Sequence, residues 1–183
     1  MQEKLLDVGA ERAVLAGLIQ YGIDGYIAIS DFIDDNTFGN HNNQIIYKCV
    51  KHIIDNDQSV DVASLLSAAE QLKFSETINT AQELKYIKSL FDFPVDKNNI
   101  IKFAAQMKKF EFARKIKKLT NKVNKDMDDV TGSETINEII QKLEDPVTDF
   151  LREDDGGEHP EKIGEGVEDY VKFLEENQCD IIG

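Results

Sequence analysis

The chain has 183 residues, of which 41% are apolar and 31% are charged, with a mean hydropathy of −0.39. This length fits one domain or one domain with an appendage, and the apolar content is sufficient for a sizeable core. The sequence contains no apolar run near the ~20 residues that cross a bilayer, and its start, MQEKLLDVGAER, lacks a secretory signal pattern. We therefore expect no membrane contact and a location in the cytoplasm.

The net charge of −14 is unevenly distributed along the chain. The chain as a whole would repel phosphates, which disfavours a free-standing nucleic-acid-binding protein. Residues 97–125 are the exception, because they carry ten basic side chains and a single acidic one, Glu111. Cys49 and Cys179 are far apart and form no metal-ligand pattern, which argues against a zinc site or a disulfide framework.

Helical periodicity recurs along the chain and proline is rare, so the sequence predicts an all-α fold. The first helix is predicted from the helical spacing of Ala10, Ala13, Val14, Gly17 and Leu18 on one face, where Gly17 is expected to allow a close helix contact. The stretch YGIDG should break this helix, and 26–33 is interpreted as a short helix because no partner strand is evident. Another helix is predicted over 41–55. Its inward-facing residues are Ile46, Cys49, Val50 and Ile53.

Two capping signals predict the remaining helices of a globular body over residues 1–95. Asp61 has the position of an N-cap for a helix over 62–72, since its carboxylate can accept orphan backbone N–H groups. Thr80 and Glu83 have capping-box spacing at the start of the next helix, which should end before the following Phe-Pro step.

A helical hairpin is predicted over residues 96–151. Its first helix should begin at an N-cap, Asp96, and its second should follow a turn in which Thr131 and Glu134 repeat the capping-box spacing. Pro146 is expected to kink or restart the second helix. Both helices carry near-heptad apolar seams, the pattern of one helix packing along another. The seam residues are Ile100, Phe103, Met107, Phe110, Ile116, Leu119, Ile136, Ile140 and Leu143.

The basic run at 97–125 has three open interpretations. Its charges match the acidic second helix or form a solvated face, as charged runs on helices mostly do. Alternatively, they contact phosphates or an acidic protein partner. The residues that would contact nucleic acid are Lys108, Lys109, Lys115 and Lys118.

The end of the chain has the composition of a linker followed by an amphipathic helix. Residues 152–161 are charged and apolar-poor, which predicts a flexible linker. Residues 162–183 contain a short helical pattern that is marginal alone and needs a surface on which to bury its apolar stripe. The stripe consists of Ile163, Val167, Tyr170, Val171 and Leu174.

The sequence lacks the motifs of nucleotide hydrolysis and of common hydrolases. It contains no GxxxxGK[ST] phosphate loop, no GxGxxG, no HExxH and no GxSxG, and its acidic residues lack EF-hand spacing. We therefore predict no catalytic, cofactor-binding or metal-binding residues. The composition and pattern favour an all-α interaction module.

Four segments carry a family resemblance. They are AERAVLAGLIQYG (10–22), FGNHNNQIIY (38–47), SVDVASLLSAAEQ (59–71) and NNIIKFAAQMKKFEFARKIKKL (98–119). In this order they resemble the N-terminal domain of DnaB-type replicative DNA helicases over nearly the whole chain. Ala16 replaces the first glycine of the family's opening pattern, and Asn43 stands where the family often has histidine. Arg114 matches its recurrent arginine.

The resemblance implies a module of DNA replication rather than an enzyme. Body and hairpin would form a collar on a dimeric or hexameric assembly, with hairpins pairing between subunits through the seam residues and the collar binding primase or a helicase loader. The segment 162–183 would be a linker helix that docks on a neighbouring motor domain through its stripe. ATP, Mg and most contacts with single-stranded DNA would belong to a RecA-like motor that these residues lack. The host would be a bacterial cell, with the gene phage-encoded.

Two other functions stay open from the sequence. One is a stand-alone helicase-like adaptor or inhibitor, and the other is a single-stranded DNA-binding module that uses 97–125. The last residues, QCDIIG, bear on this choice, because the apolar pair Ile181 and Ile182 is expected to be the entrance to a motor domain rather than a natural end.

Overall fold

All regular elements that the structure describes are α-helices, which confirms the predicted fold class. The computed structural model describes residues 5–154, with side chains up to Arg152. The chain divides into two units, Met1–Ile116 and Lys117–Gly183. The helices are α1 (Val8–Ile29), α2 (His41–Asp55), α3 (Val62–Gln71), α4 (Ser75–Ile78), α5 (Ala81–Phe91), α6 (Lys97–Asp128) and α7 (Ile136–Asp154).

The division between the units lies within α6, whereas the sequence places the boundary between body and hairpin at the start of that helix. The reason is that the first turns of α6 pack into the core of the first unit, where Ile100, Ala104 and Met107 are buried. At the other end, α7 reaches Asp154. The rest of the predicted linker (152–161) and the linker helix lie outside the described residues.

The predicted caps at Asp61 and Thr80 are confirmed. The Asp61 carboxylate accepts from the Ser64 backbone N–H at 2.7 Å, and the Ser64 hydroxyl accepts from the Asp61 N–H at 2.8 Å, which completes a capping box. The Thr80 hydroxyl likewise accepts from the Glu83 N–H. The single-turn helix α4 has no side-chain cap, so the sequence offered no start signal for it.

Helix α1 contains the predicted break, but the chain returns to helix immediately after it. Gly22 adopts φ 54° and ψ −130°, a conformation outside the helical region that glycine tolerates best. Helical structure then continues only to Ile29, so the short helix predicted over 26–33 is wrong in its second half. There the backbone forms turns, with the N–H groups of Phe32 and Ile33 donating to the Ile29 carbonyl.

The core of the first unit is built from apolar faces of α1 to α6. Each large side chain that is fully buried contributes roughly 1.5–3 kcal/mol relative to exposure. The largest are Tyr47, Phe38, Leu15, Leu18, Ile29, Ile46, Ile53, Leu65, Ile78, Ile87, Leu90 and Ile100.

Helix α6 contacts α1 at Gly17, where the sequence predicts a close helix contact. A Cβ atom added at Gly17 would lie 2.2 Å from Ile100 Cδ1 and 2.6 Å from Ile100 Cγ1. Ile100 is itself buried among core residues and has little room to move. The missing side chain at Gly17 is therefore what allows Ile100 to enter the core.

The loop between α1 and α2 is fastened to α1 by a buried carboxylate. Glu11 Oε1 accepts from the backbone N–H of Gly39 at 2.6 Å and from that of Asn40 at 3.3 Å, while Glu11 Oε2 accepts from Asn43 Nδ2 at 2.7 Å. A Cβ at Gly39 would lie 2.8 Å from Leu6 Cβ. The loop is therefore held so closely that a side chain at this position does not fit.

The same loop is fastened to α6 by a second set of bonds. The buried carboxylate of Glu111 accepts from the Thr37 hydroxyl at 2.9 Å. The Arg114 guanidinium donates to three backbone carbonyls, those of Leu5 at 2.7 Å, Asn36 at 3.0 Å and Thr37 at 2.6 Å. We call the contacts of Glu11, Glu111 and Arg114 with this loop the loop clasp.

The close contact of Gly17 with Ile100 predicts that a substitution at Gly17 changes the free energy of unfolding in a direction that depends on the residue at position 100. Gly17→Ala should destabilise the chain by about 1–3 kcal/mol, because the new methyl group overpacks the core against Ile100. In an Ile100→Ala background the same change should be neutral or stabilising by about 0.5–1 kcal/mol, since alanine is the better helix former. Urea unfolding followed by circular dichroism measures both differences, and equal effects in the two backgrounds would contradict the contact.

Asp34, next to the loop clasp, predicts a pH-dependent contribution to stability. Burial alone would raise the pKa of Asp34, but the backbone N–H of Asn36 and the Lys108 ammonium outweigh it and lower that pKa. A carboxyl group with a lowered pKa stabilises the fold above its unfolded pKa of about 3.9, and that contribution is lost as the pH falls further.

Asp34→Asn should therefore cost stability near pH 7, by at most about 1 kcal/mol because the pair is half-exposed, and almost nothing near pH 2. Unfolding free energies of both chains at the two pH values test this expectation. Asp31→Asn removes an exposed charge from the preceding turn and controls for net charge. A deficit for Asp34→Asn that is the same at both pH values would refute the assignment.

Candidate interaction surface on helices α6 and α7

The start of α7 is fixed by a capping box four residues later than predicted. The Thr135 backbone N–H donates to Glu138 Oε2 at 2.6 Å, and the Glu138 N–H donates to the Thr135 hydroxyl at 3.3 Å. The bonds from Thr135 lower the pKa of Glu138. Glu134, which was expected to cap the helix with Thr131, instead accepts the Thr131 N–H within the turn. The sequence analysis therefore predicted a capping box correctly, but it assigned the box to Thr131 and Glu134 instead of Thr135 and Glu138.

Within the second unit, α7 runs antiparallel to the end of α6. The Lys142 ammonium donates to the Asp126 carbonyl at 3.2 Å. A groove of about 420 Å³ lies between the two helices, and its walls are mostly charged. Its lining residues are Lys122, Asp126, Glu138, Gln141, Lys142, Asp145, Pro146 and Asp149. One face of α7 is therefore polar and turned towards α6.

A different side of α7 is apolar and exposed. Ile136 is 77% exposed, Ile140 45% and Leu143 49%, and their i, i+4, i+7 spacing places them along one line of the helix. We call these three residues the α7 stripe. Pro146, which was expected to kink or restart the helix, lies inside the continuous α7 and is buried. The stripe is therefore presented on an unbroken helix.

The predicted seam on α6 has a mixed environment. Ile100 and Met107 are buried in the core, and Phe103 packs against it, so these side chains are enclosed by their own chain. Phe110 and Leu119 are half-buried. Ile116, by contrast, is 39% exposed. The subunit interface stays a prediction, and the exposed part of it consists of Ile116 and the α7 stripe.

Two of the four lysines predicted to contact nucleic acid make ion pairs with carboxylates instead. The Lys108 ammonium lies 2.9 Å from Glu111 Oε2 and 3.1 Å from Asp34 Oδ2, and Lys115 lies 3.2 Å from Glu111 Oε1. Burial lowers the pKa of Lys108, but these carboxylates outweigh burial and raise it.

The other two lysines, Lys109 and Lys118, are exposed. A role of this helix in nucleic-acid binding stays a prediction, and it would depend mainly on those exposed residues.

Neither a metal site nor a membrane helix is found in the described part of the chain. Residues 5–154 contain no group of three His, Cys, Asp or Glu side chains that could hold a metal ion. Within the same range no helix is long and apolar enough to cross a membrane. The predicted docking face of the linker helix (Ile163, Val167, Tyr170, Val171 and Leu174) lies outside the described residues.

The loop clasp brings together residues from three of the four segments that carry the family resemblance. Glu11 comes from the first, Gly39 and Asn43 from the second, and Glu111 and Arg114 from the fourth. The sequence reading missed the role of the two carboxylates. Glu11 stands on an otherwise apolar helix face, and a charge in that position indicates a paired, buried group.

Comparisons with known proteins agree with this architecture. The sequence model of the family described as the DnaB-like helicase N terminal domain matches residues 3–109, more than half of the chain. No curated protein matches the sequence.

Among solved structures, the chain is similar to the crystal structure of the N-terminal domain of DnaB helicase from Mycobacterium tuberculosis. The TM-score is 0.66 at 15% sequence identity, over 80% of this chain and 99% of that chain. This likeness supports the same all-α fold. Because the family match covers most of the chain, we conclude that the protein belongs to the family of DnaB-like helicase N-terminal domains.

Proposed function

We propose that this chain is the collar module of a replicative DNA helicase, and that it acts in DNA replication by assembling subunits and docking a primase or helicase loader. It would contribute no catalysis. ATP hydrolysis with Mg and strand separation would belong to a RecA-like motor outside these 183 residues, which would also hold single-stranded DNA. The module would work in the cytoplasm of a bacterial cell, as a phage-encoded protein.

The observation that carries the proposal is the α7 stripe. Three large apolar side chains in one line on a helix leave an apolar surface in contact with water, and such surfaces mark interaction sites. A second copy of the same stripe fits it best, because side chains at i, i+4 and i+7 interdigitate when two such helices lie side by side. A two-fold contact of this kind also satisfies both copies at once.

The polar contacts of α7 support this choice of face. Its groove side carries Glu138, Lys142 and Asp149 and is already turned towards α6 within the same unit. Burying those charges against a second subunit would cost desolvation energy without gain. The stripe is the side of α7 on which association removes apolar surface from water.

The first test places charge in the α7 stripe. Ile140→Asp/Leu143→Asp should shift the chain towards its monomer mass of 20.7 kDa. Unpaired carboxylates in an apolar interface should weaken self-association at least about 100-fold. Size-exclusion chromatography with light scattering measures the mass, and circular dichroism checks that helicity is retained.

The matched control is Asn137→Asp/Thr148→Asp, which adds the same charge on exposed positions of α7 outside the stripe. It should assemble like the parent chain. An unchanged mass for the stripe variant would rule out pairing through α7. Substitution of Phe103 is a poorer test, because that side chain packs against the core and its loss would also disturb the body.

The second test concerns docking of a replication partner. We expect saturable binding when a fluorescently labelled helicase-binding domain of a primase, or a helicase loader, from the same genome is titrated with the full chain. Fluorescence anisotropy reports the binding. If the partner sits on assembled hairpins, the stripe variant should lose binding and the Asn137/Thr148 variant should keep it. Absence of binding to both partners would remove the docking half of the proposal.

A further inference from the structure

The groove between α6 and α7 contains a backbone carbonyl that lacks its usual helical donor. In an α-helix the N–H of each residue donates to the carbonyl four residues earlier. Pro146 has no N–H and stands inside the continuous α7, so the Lys142 carbonyl loses that bond. Lys142 and Pro146 both line the groove. Because the carbonyl lies between these two residues on the helix, it is an acceptor at the groove wall.

Two carboxylates on the same line of α7 add further acceptors. Asp145 and Asp149 follow Lys142 at i+3 and i+7, and both are exposed and line the groove. Among the residues that the structure describes, neither makes an ion pair. Glu138, by contrast, already accepts from the N–H and the hydroxyl of Thr135. The groove therefore presents a row of acceptors that calls for an occupant rich in donors.

The charge of the lining favours a cationic occupant. Four carboxylates and two lysines line the groove, a net charge of −2. The ammonium of Lys142 is directed to the Asp126 carbonyl, at 3.2 Å. A second copy of α7 would not supply the missing cation, because residues 136–154 hold six carboxylates against two basic side chains and like charge repels. The complementary group must come from a different molecule.

A guanidinium group fits these acceptors better than an ammonium group. Arginine has five N–H donors in a planar fork, so it can pair with a carboxylate through two bonds and still donate to a carbonyl. The lysine ammonium is a compact and strongly hydrated charge without that fork. The groove, at about 420 Å³, has room for one long side chain of this kind.

We propose that an arginine side chain of the docking partner binds in this groove, where it pairs with Asp145 and Asp149 and donates to the Lys142 carbonyl. The partner is then a protein segment that exposes an arginine, and it is recognised on a different side of α7 from the α7 stripe. This inference rests on the proposed docking of a primase or helicase loader, and it names the chemistry that holds the docked partner.

Neutral variants of the two carboxylates test the ion pairs. Asp145→Asn/Asp149→Asn should weaken binding of the fluorescently labelled partner domain to the full chain by about 10-fold or more, because charge-assisted hydrogen bonds are lost. Fluorescence anisotropy measures the affinity. The matched control is Asp128→Asn/Asp129→Asn, which removes the same charge from exposed positions outside the groove lining and should bind like the parent chain.

Pro146→Ala tests the carbonyl without changing any charge. Alanine supplies an N–H to the Lys142 carbonyl, so this acceptor is no longer available to the partner. We expect binding about 3-fold weaker together with a more stable helix, which circular dichroism measures as a higher Tm. Unchanged affinity in Pro146→Ala would overturn the proposal, because a contact made by charge alone does not depend on the carbonyl.

The outcomes separate this inference from the proposed function. The groove variants should keep the assembled mass of the parent chain in light scattering, since the α7 stripe is unchanged. If the partner binds the parent chain and both aspartate variants equally, or loses affinity equally in both variants, the groove inference is wrong and the docking proposal stands. If neither a primase domain nor a loader binds the parent chain, the docking proposal fails and this inference fails with it.

Discussion

Two buried carboxylates hold together the part of the molecule on which everything else depends. Glu11 and Glu111 come from α1 and α6, and both bind the short loop that leads into α2. A buried carboxylate without donors is costly. Each carboxylate therefore holds its hydrogen-bond donors in place. Through these bonds the loop becomes a joint, that is, a fixed connection between α1 and α6. Arg114 closes the joint by taking three carbonyl groups that the irregular backbone would otherwise leave unpaired.

This joint explains why short, scattered motifs identify the family. The motif residues are far apart in the sequence, but in the structure they form one polar cluster. Each of them depends on the others for its hydrogen bonds. Losing one partner would leave a charge or a carbonyl buried and unpaired, so we expect the residues of the cluster to depend on one another. The motifs thus describe how the fold is closed.

Sequence reasoning succeeded where local chemistry decides the structure. The caps at Asp61 and Thr80 and the bounds of α2 depend on neighbouring residues, and they were predicted closely. It failed at Thr131, because two consecutive capping boxes compete and the choice between them is not encoded in spacing. The seam on α6 shows a different limit. Heptad spacing indicates that Ile100 packs on something, but only the folded chain shows that the partner is its own core.

The contact of Gly17 with Ile100 has a consequence for sequence variation among relatives. Ala16 stands at the neighbouring glycine position of the family pattern and is buried without conflict, so only one of the two glycines is required by space. The required glycine is Gly17, because the space for a side chain at position 17 depends on the size of the residue at position 100. In homologues of this chain, a larger residue at 17 should be accompanied by a smaller one at 100. This pair could therefore report the spacing of α1 and α6 in sequences for which no structure has been determined.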